Sequence, residues 1–371
     1  MERFHKTIIL NDLFKKMVIL VGPRQVGKTY LAKEILKEFN NPVYLNYDNI
    51  KDKKIIENQA WLDDTDILVL DEIHKLKSWK NYVKGVYDTK PDHLKILITG
   101  SARLEAYSNT GDSLAGRYFK HRLLPFTLAE LKKTDRKIKF KKLLNNGGFP
   151  EPFLSDNIVD INRWRSEYIN ALLNIDILEF ENIRKLKTAR LLLEILQERV
   201  GYPISYQSIA EDLNIAPNTV KKYIQAFENL YIIFTVAPFS KNIARTVLKE
   251  PKIYFFDNGL IKGNDGIKLE NFTAVSLLKH CFEKQDIFGE PYKLNYLRTK
   301  EKKEIDFCIS CAGKILKIIE VKNSDENIST ALKYFHNKYN LPAVQLVRTL
   351  KNDYQKDGIS VLIAEKFLKN L

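Results

Sequence analysis

Eight residues near the amino end of the chain have the types and spacing that hold a phosphate chain. They are Gly22-Pro-Arg-Gln-Val-Gly27-Lys28-Thr29, which match the pattern G-x-x-x-x-G-K-S/T. The glycines let backbone N–H groups point at phosphate oxygens, Lys28 can reach the β- and γ-phosphates, and the Thr29 hydroxyl can ligate Mg²⁺. The expected nucleotide-binding residues are Gly22, Pro23, Arg24, Gln25, Val26, Gly27, Lys28, Thr29 and Tyr30.

The elements around this loop predict a parallel sheet. The apolar run Met17–Val21 precedes the loop and is typical of a strand buried on both faces, and helical periodicity follows over Thr29–Leu36. A second apolar run, Asp66–Leu70, ends in the acidic pair Asp71-Glu72. Acidic residues at the carboxyl end of such a strand predict that Asp71 holds Mg²⁺ and that Glu72 polarises the attacking water. A helix cap is the structural alternative for this pair.

A third strand and an arginine complete the predicted nucleotide site. The run "KILITGSA" ends in Thr99 and Ser101, either of which could contact the γ-phosphate or the attacking water if this strand lies between the other two. Arg117 follows in "SLAGRY" and could stabilise charge on the transferred phosphoryl group of a neighbouring subunit. A surface salt bridge explains Arg117 equally well. The arginine interpretation implies a homo-oligomer.

Four charged residues near the carboxyl end could form a second site. Glu320 and Lys322 are two residues apart in one predicted strand, so their side chains leave the same face of the sheet. Asp306 lies in the preceding strand and can face them, while Glu270 is expected in the first turn of a helix, "LENFTAVSLLKHCF". Two carboxylates and a lysine could hold a metal ion and cut a phosphodiester. An exposed face with mutually neutralising charges is the alternative.

The middle of the chain is predicted to be helical. Residues 126–187, beginning with "PFTLAELKK", are interpreted as a helical lid over the nucleotide. Residues 188–257 read as a winged helix, in which one helix ends at Leu213, a second begins at Pro217, and two strands form a hairpin. Asn218, Lys221 and Lys222 would then face a DNA major groove, or the unit would serve as a scaffold. The predicted domains are 1–125, 126–187, 188–257 and 258–371.

Composition restricts the partners. Sixty basic and 46 acidic residues give a formal charge of +14, which favours a polyanionic partner, nucleic acid before membrane. DNA is expected before RNA, a choice that the net charge itself does not decide. No apolar run is long enough to span a bilayer, and the amino terminus lacks a secretion signal. The three cysteines suggest no disulfide framework, so a cytoplasmic location is expected. The pair Cys308 and Cys311 is interpreted as a strand end entering a turn, since no second pair completes a zinc site.

Six segments together resemble a prokaryotic family of AAA-type ATPases. They are "GPRQVGKTYL", "LVLDEIH", "ILITGSARL", "SLAGR", "GGFPEPFL" and "YFFDNGL". The resemblance implies ATP as the ligand, the AAA fold, and a carboxyl-terminal domain that resembles PD-(D/E)xK nucleases. The expected fold class is therefore α/β, with a parallel P-loop sheet, a helical lid, a winged helix and a restriction-endonuclease-like α/β domain.

Three functional hypotheses follow. The first is an Mg²⁺-dependent ATPase that acts on or with nucleic acid. The second is a metal-dependent DNA endonuclease gated by ATP. The third is a nucleotide-switched module that binds DNA or protein and whose nuclease-like domain is inert.

Overall fold

The computed structural model describes residues 3–100, 114–131, 136–176, 186–240 and 250–371. It divides the chain into two compact units, Met1–Leu124 and Pro125–Leu371. This boundary lies one residue from the expected end of the ATPase core, and the finer divisions at 187 and 257 stay predictions. Ser101 lies outside the described residues. None of the described helices combines the length and hydropathy that crossing a bilayer requires.

The first unit alternates short helices with strands. In chain order they are α1 (His5–Leu13), β1 (Met17–Val21), α2 (Lys28–Leu36), β2 (Pro42–Asn46), α3 (Ile50–Asn58), β3 (Ile67–Asp71), α4 (Trp79–Thr89), β4 (Lys95–Thr99) and β5 (Tyr118–Arg122). The strands form one parallel sheet in the order β2–β3–β4–β1–β5. All five residues of β1 and of β3 are buried, which confirms the prediction made from their apolar runs.

The order of the strands confirms that β4 lies between β3 and β1. The two strands that the sequence did not reveal, β2 and β5, are the outer strands of the sheet. Most of their side chains are only half-buried, and β5 reads "YFKHR", so neither strand carries the continuous apolar signal of the inner three. Edge strands meet water on one side and tolerate such polar residues.

The second unit begins with helices, as expected. They are α5 (Arg136–Asn146), α6 (Pro150–Leu154), α7 (Ile158–Ala171), α8 (Leu186–Glu198), α9 (Tyr206–Leu213) and α10 (Pro217–Asn229). The helix predicted for "PFTLAELKK" is wrong, because residues 125–131 form an irregular segment with a turn. The Phe126 N–H donates to the Gly148 carbonyl at 2.7 Å, and the Phe126 and Leu131 side chains are buried. Packing therefore overrides the helical preference of this segment.

Both helices of the predicted helix-turn-helix have the expected limits. Ser205 caps α9 by accepting a hydrogen bond from the Ser208 N–H, Asn214 ends it in the left-handed region, and Pro217 opens α10. Strands β6 (Ile233–Val236) and β7 (Lys252–Phe255) then pair in antiparallel fashion.

The carboxyl-terminal part contains one long helix and a mixed sheet. Its elements are α11 (Asp265–Phe288), β8 (Tyr292–Arg298), β9 (Glu304–Cys311), β10 (Lys314–Lys322), α12 (Thr330–Tyr339), β11 (Ala343–Val347), β12 (Tyr354–Lys356), β13 (Ile359–Ile363) and α13 (Ala364–Lys369). The sheet has the order β12–β13–β11–β10–β9–β8. The predicted sequence of helix, three strands, helix and strand is confirmed.

Two details of this part differ from or refine the sequence analysis. The long helix begins at Asp265, where the Asn264 side chain accepts from the Ile267 N–H, so Glu270 lies in its second turn rather than its first. The C-x-x-C pair ends β9, and a turn with positive φ at Ala312 follows. All three cysteines are free.

A buried ion pair in the second unit generates a stability prediction. The Lys279 ammonium contacts the Glu130 carboxylate, and each side chain is only 4% exposed. Glu130→Gln leaves a buried ammonium without its counter-charge, so we expect the free energy of unfolding to fall by about 3–5 kcal/mol. Urea unfolding followed by circular dichroism measures this loss.

The matched control is the double substitution Glu130→Leu with Lys279→Met, which removes both charges together. We expect this variant to recover most of the lost stability, because no lone charge stays buried. A single Glu130→Gln variant as stable as the parent would contradict the assigned role of the pair.

Candidate functional site

The register of the first sheet brings the predicted nucleotide-site residues to one edge. Asp71 at the end of β3 lies opposite Thr99 at the end of β4 and opposite Asn46 at the end of β2. Thr99 also pairs with Leu20 of β1, the strand that leads into the glycine loop. Because all these strands run parallel, their carboxyl ends meet where an α/β sheet places its ligands.

The glycine loop, residues 22–27, has a conformation that its glycines permit. Gly22 and Gly27 have φ values of +147° and +100°. A Cβ at Gly22 would lie 2.1 Å from the Leu123 carbonyl oxygen, so no larger residue fits there. The buried Arg3 guanidinium donates to the Val26 carbonyl at 2.6 Å and to the Leu124 carbonyl at 3.2 Å, and so connects the loop to the segment that follows β5. No local pattern around Arg3 indicates this contribution.

Lys28 is folded back onto the loop. Its ammonium donates to the carbonyl oxygens of Gly22 at 2.9 Å and Pro23 at 2.6 Å. Burial lowers the pKa of Lys28 to about 8, against the opposing attraction of Glu72 and Asp71. A buried ammonium whose solvation comes from two carbonyls is well placed to gain from an anion.

Asp71 accepts hydrogen bonds from three hydroxyl groups. Thr29 of α2 donates at 3.1 Å and Tyr44 of β2 at 2.5 Å, while Thr99 of β4 donates to the other carboxylate oxygen. Burial and then the Asp71 carboxylate raise the pKa of Tyr44. Carboxylate and hydroxyl oxygens are the donors that Mg²⁺ prefers, so Asp71 and Thr29 fit this ion. Tyr44 was missed because nothing in "PVYLN" indicates a neighbour of the acidic pair.

Glu72 lies directly beside this cluster in an unusual backbone conformation. Its φ of 57° is in the left-handed region, and its N–H donates to the Thr99 carbonyl at 3.0 Å. One carboxylate oxygen is buried with no hydrogen-bond partner among the described residues. Burial and then the Asp71 charge raise the pKa of Glu72. A carboxylate short of donors can accept a proton from water, which suits the predicted role.

Arg117 is found in the salt bridge that was the structural alternative for it. Its guanidinium contacts the Asp88 carboxylate through Nε at 2.7 Å and Nη2 at 3.0 Å. The side chain is partly exposed. A role for Arg117 in a neighbouring subunit stays a prediction.

In the second unit, the structure gathers the four residues predicted at the carboxyl-terminal site. The register Ile319↔Phe307 continues to place Glu320 beside Asp306, whose carboxylate accepts from the Val321 N–H at 2.9 Å. Lys322 contacts Glu320 at 2.8 Å. We call the carboxylates of Glu270, Glu304, Asp306 and Glu320 the acid pocket.

Burial and mutual repulsion shift the pKa values of two carboxyl groups in the acid pocket upward. Burial and then the Asp306 charge raise the pKa of Glu270 to about 8 and that of Glu320 to about 7. The Tyr254 hydroxyl donates to Glu270 at 2.7 Å. Removal of these carboxylates from water favours their neutral forms.

The sequence analysis missed the cation in the acid pocket, which is Lys252 at the start of β7. Its ammonium lies 2.8 Å from Glu304, 3.6 Å from Asp306 and 3.8 Å from Glu270, and its side chain is 2% exposed. The attraction of these carboxylates raises the pKa of Lys252 although burial opposes it. The one local signal was a lysine opening an otherwise apolar strand, "KIYF".

The acid pocket does not fit a divalent ion while Lys252 is in place. One carboxylate oxygen of Asp306 contacts the Lys252 ammonium and the other accepts from the Val321 N–H. Glu320 forms an ion pair with Lys322. No set of three or more His, Cys, Asp or Glu side chains in the described part of the chain is arranged to hold a metal ion.

The second unit also contains a groove of about 1050 Å³ that combines aromatic and basic side chains. Tyr339 is 51% exposed and stacks on Phe335 with a centroid distance of 6.0 Å. The Lys303 ammonium lies 3.8 Å from the centroid of the Tyr334 ring, and the Lys338 ammonium donates to the Tyr334 hydroxyl at 2.8 Å. Further cations in the lining are Arg298, Lys300 and Lys314.

Comparison with protein families supports the first site. Residues 14–132 match the family model described as an AAA domain, which supports an AAA-type ATPase. Residues 137–270 and 265–367 match two models described as domains of unknown function, DUF8612 and DUF4143. Neither description names an activity, so the expected nuclease-like domain and winged helix are not established by these matches.

Similar whole proteins are uncharacterized. One from Mycobacterium tuberculosis is 23% identical over 324 residues, covering 85% of this chain and 73% of its own length. One from Methanocaldococcus jannaschii is 26% identical over 329 residues, covering 78% of this chain and 74% of its own length.

Two solved structures from Thermotoga maritima also match. A RuvB variant is 18% identical with a TM-score of 0.33, covering 62% of this chain and 86% of its own. A protein related to the DNA polymerase III gamma subunit is 11% identical with a TM-score of 0.26, covering 74% and 83%. At these TM-scores the likeness carries no argument.

The acid pocket generates a prediction for the pH dependence of stability. The folded-state pKa of Glu270, about 8, exceeds the ordinary value of 4.5, so the folded unit keeps a proton that the unfolded chain releases. The free energy of unfolding should therefore fall as pH rises from 5 to 8, by about 1 kcal/mol per pH unit. Urea unfolding at several pH values measures the slope.

Glu270→Gln should flatten this slope, because glutamine still accepts from the Tyr254 hydroxyl but does not titrate. The matched control is Glu326→Gln, which changes an exposed glutamate and should leave the slope as in the parent. A parent protein that gains stability between pH 5 and 8 would contradict the arrangement of the acid pocket.

Proposed function

We propose that the first unit binds ATP with Mg²⁺ and hydrolyses it. The observation that carries the proposal is the meeting of the Lys28 ammonium, the Asp71 hydroxyl cluster and the Glu72 carboxylate at one edge of a parallel sheet. This is the set of groups that phosphoryl transfer requires. The AAA-domain match over residues 14–132 supports the same assignment.

Each residue has a role that follows from its present contacts. Lys28 exchanges the carbonyls of Gly22 and Pro23 for β- and γ-phosphate oxygens, which gives its buried charge a full counter-charge. The N–H groups of residues 24–29 surround the phosphates at the start of α2, where the helix dipole favours an anion. Thr29 and Asp71 would hold Mg²⁺, which neutralises charge that develops on the phosphate oxygens.

Glu72 acts on the attacking water. Its raised pKa and a buried oxygen with no hydrogen-bond donor among the described residues make it a better proton acceptor than an exposed carboxylate; the nearest ring nitrogen, His74 Nε2, lies 3.6 Å from that oxygen. Thr99 joins Asp71 to β4 and so fixes the acidic pair relative to the loop. We extend the proposal to Arg117 as the group that a second copy of the chain supplies, which requires release of its pairing with Asp88.

We propose nucleic acid, DNA rather than RNA, as the partner of the second unit. The net charge of +14 supports a polyanion. Two surfaces could meet it: the exposed residues Asn218, Lys221 and Lys222 at the start of α10, which would form a winged helix with β6 and β7, and the groove beside Tyr334 and Tyr339. The exposed Tyr339 ring, with the Lys338 ammonium 5.4 Å from its centroid, suits a base stacked beside a bound phosphate chain.

Among the three hypotheses, the position of Lys252 favours a binding role for the second unit over cutting. An ammonium contacts the carboxylates that a metal-dependent nuclease would need for its ion. We therefore propose an ATPase whose nucleic-acid contacts recognise rather than cleave. The free cysteines fit a reducing compartment, and we infer the cytoplasm.

Substitution of the loop lysine tests the first part of this function. Lys28→Ala should lower ATP turnover by about 10²–10³-fold and weaken nucleotide binding, because a preorganised cation at the phosphates is lost. Glu72→Gln should retain binding and lose turnover by about 10²–10⁴-fold, the contribution of a general base. Phosphate release and calorimetry separate the two effects.

Lys37→Ala is the matched control, since it removes an exposed ammonium next to the end of the same helix. It should keep turnover within about twofold of the parent, as surface substitutions away from a site usually do. ATP turnover in Lys28→Ala equal to that of the parent would contradict the assignment of this loop as the nucleotide-binding site.

The salt dependence of DNA binding tests the second part. If Lys221 and Lys222 contact phosphates, the double alanine variant should bind duplex DNA more weakly, and the slope of log K against log[salt] should shrink by about 1–2. If the groove is the binding site, replacing Lys300 and Lys314 by alanine should instead weaken the binding of single-stranded DNA. Fluorescence anisotropy at several salt concentrations measures both slopes.

A salt slope that neither pair of substitutions changes would contradict these two surfaces. Single-stranded RNA of the same sequence provides the comparison between nucleic acids. We expect it to bind more weakly than the DNA.

A further inference from the structure

The acid pocket has the composition of a cation site rather than of an exposed charged face. Its carboxylates come from three elements, with Glu270 on α11, Glu304 and Asp306 on β9, and Glu320 on β10. Glu320 is only 6% exposed, and Glu270 contacts Gly201, where an added Cβ would lie 2.7 Å from the carboxylate. Side chains drawn from separate elements to one buried point are not explained by the local pattern of a strand.

One carboxylate oxygen in the acid pocket has no hydrogen-bond donor. The Oε2 atom of Glu320 is buried and without a hydrogen-bond partner among the described residues, whereas its Oε1 contacts Lys322. A buried carboxylate oxygen that lacks a donor is costly. It therefore indicates capacity for a positive ligand that the present contacts do not use.

Lys252 joins this set from a fourth element, β7. Its ammonium reaches Glu304, Asp306 and Glu270, and the Tyr296 ring lies below it with the nitrogen 5.5 Å from the centroid. An aromatic face and carboxylates are both attractive to a cation. The backbone of Lys252 pairs with Val236 of β6, and its side chain is 2% exposed. Strand pairing and packing therefore both restrict the position of the ammonium.

We infer that the acid pocket is a cation site whose resident cation is the Lys252 ammonium, and that this ammonium excludes a divalent metal ion. A divalent ion and the ammonium would compete for the same oxygens of Asp306 and Glu270. The second unit consequently binds no divalent ion in the acid pocket and does not cut phosphodiesters there.

The formal charges of the acid pocket are consistent with either the Lys252 ammonium or one divalent metal ion, but not both. The four carboxylates of the acid pocket carry four negative charges, and Lys322 and Arg298, which contact Glu320 and Glu304, carry two positive charges. Lys252 reduces this to one formal negative charge. Without Lys252 two negative charges would be left, the charge of one divalent ion.

Removal of the ammonium should therefore create a metal site. We expect Lys252→Met, which removes the ammonium and keeps the rest of the side chain close to the length of the lysine stem, to bind about one Mn²⁺ per chain in calorimetry without nucleotide. Mn²⁺ at about a hundred times its Kd should raise the Tm of this variant by roughly 5 °C or more. Adding Asp306→Asn to Lys252→Met should abolish both effects. If Lys252→Met folds only when Mn²⁺ is present during refolding, the inference is supported as well.

A second comparison uses the parent protein and does not depend on the folding of Lys252→Met. Its Mn²⁺ titration should be the same as that of Asp306→Asn, and both should leave supercoiled plasmid uncut with Mg²⁺. A parent protein that binds Mn²⁺ or nicks plasmid in a manner lost in Asp306→Asn would overturn the inference. Failure of Lys252→Met to gain Mn²⁺ binding, or to fold with Mn²⁺ present, would also overturn it.

Discussion

The hydrogen bonds that converge on Asp71 are the constraint on which the nucleotide site depends. Its carboxylate joins the helix that follows the glycine loop, through Thr29, to two neighbouring strands, through Tyr44 and Thr99. A buried carboxylate needs such donors, and these donors need an acceptor, so the cluster fixes the spacing between loop and strands. Glu72 follows Asp71 directly, and its position depends on the same cluster.

The two units use charge in opposite ways. In the first, the hydrogen bonds of the buried Lys28 ammonium to the described residues go to two carbonyl oxygens, so it has much to gain from a phosphate. In the second, Lys252 is a buried cation that already has three carboxylate partners. The first arrangement is prepared for a ligand, whereas the second holds its own. This contrast is why we assign turnover to the first unit and recognition to the second.

Local patterns predicted the parts of the molecule that local physics determines. Continuous apolar runs and helix caps are short-range signals. They were enough to predict the inner strands of the first sheet, the limits of α9 and α10, and the order of the elements from α11 onward. The outer strands were missed because exposure weakens that signal, and "PFTLAELKK" was wrong because Phe126 pairs with the distant Gly148 instead of continuing a helix. Lys252 lies about fifty residues from Glu304, so no local pattern could join them.

The central claim is that residues 22–29 bind a nucleoside triphosphate with Mg²⁺. Calorimetric titration of the parent protein with a non-hydrolysable ATP analogue tests it most directly, with and without Mg²⁺. We predict a saturable isotherm with one nucleotide per chain, tighter with Mg²⁺ than without. An isotherm with no heat and no saturation in either condition would contradict the account.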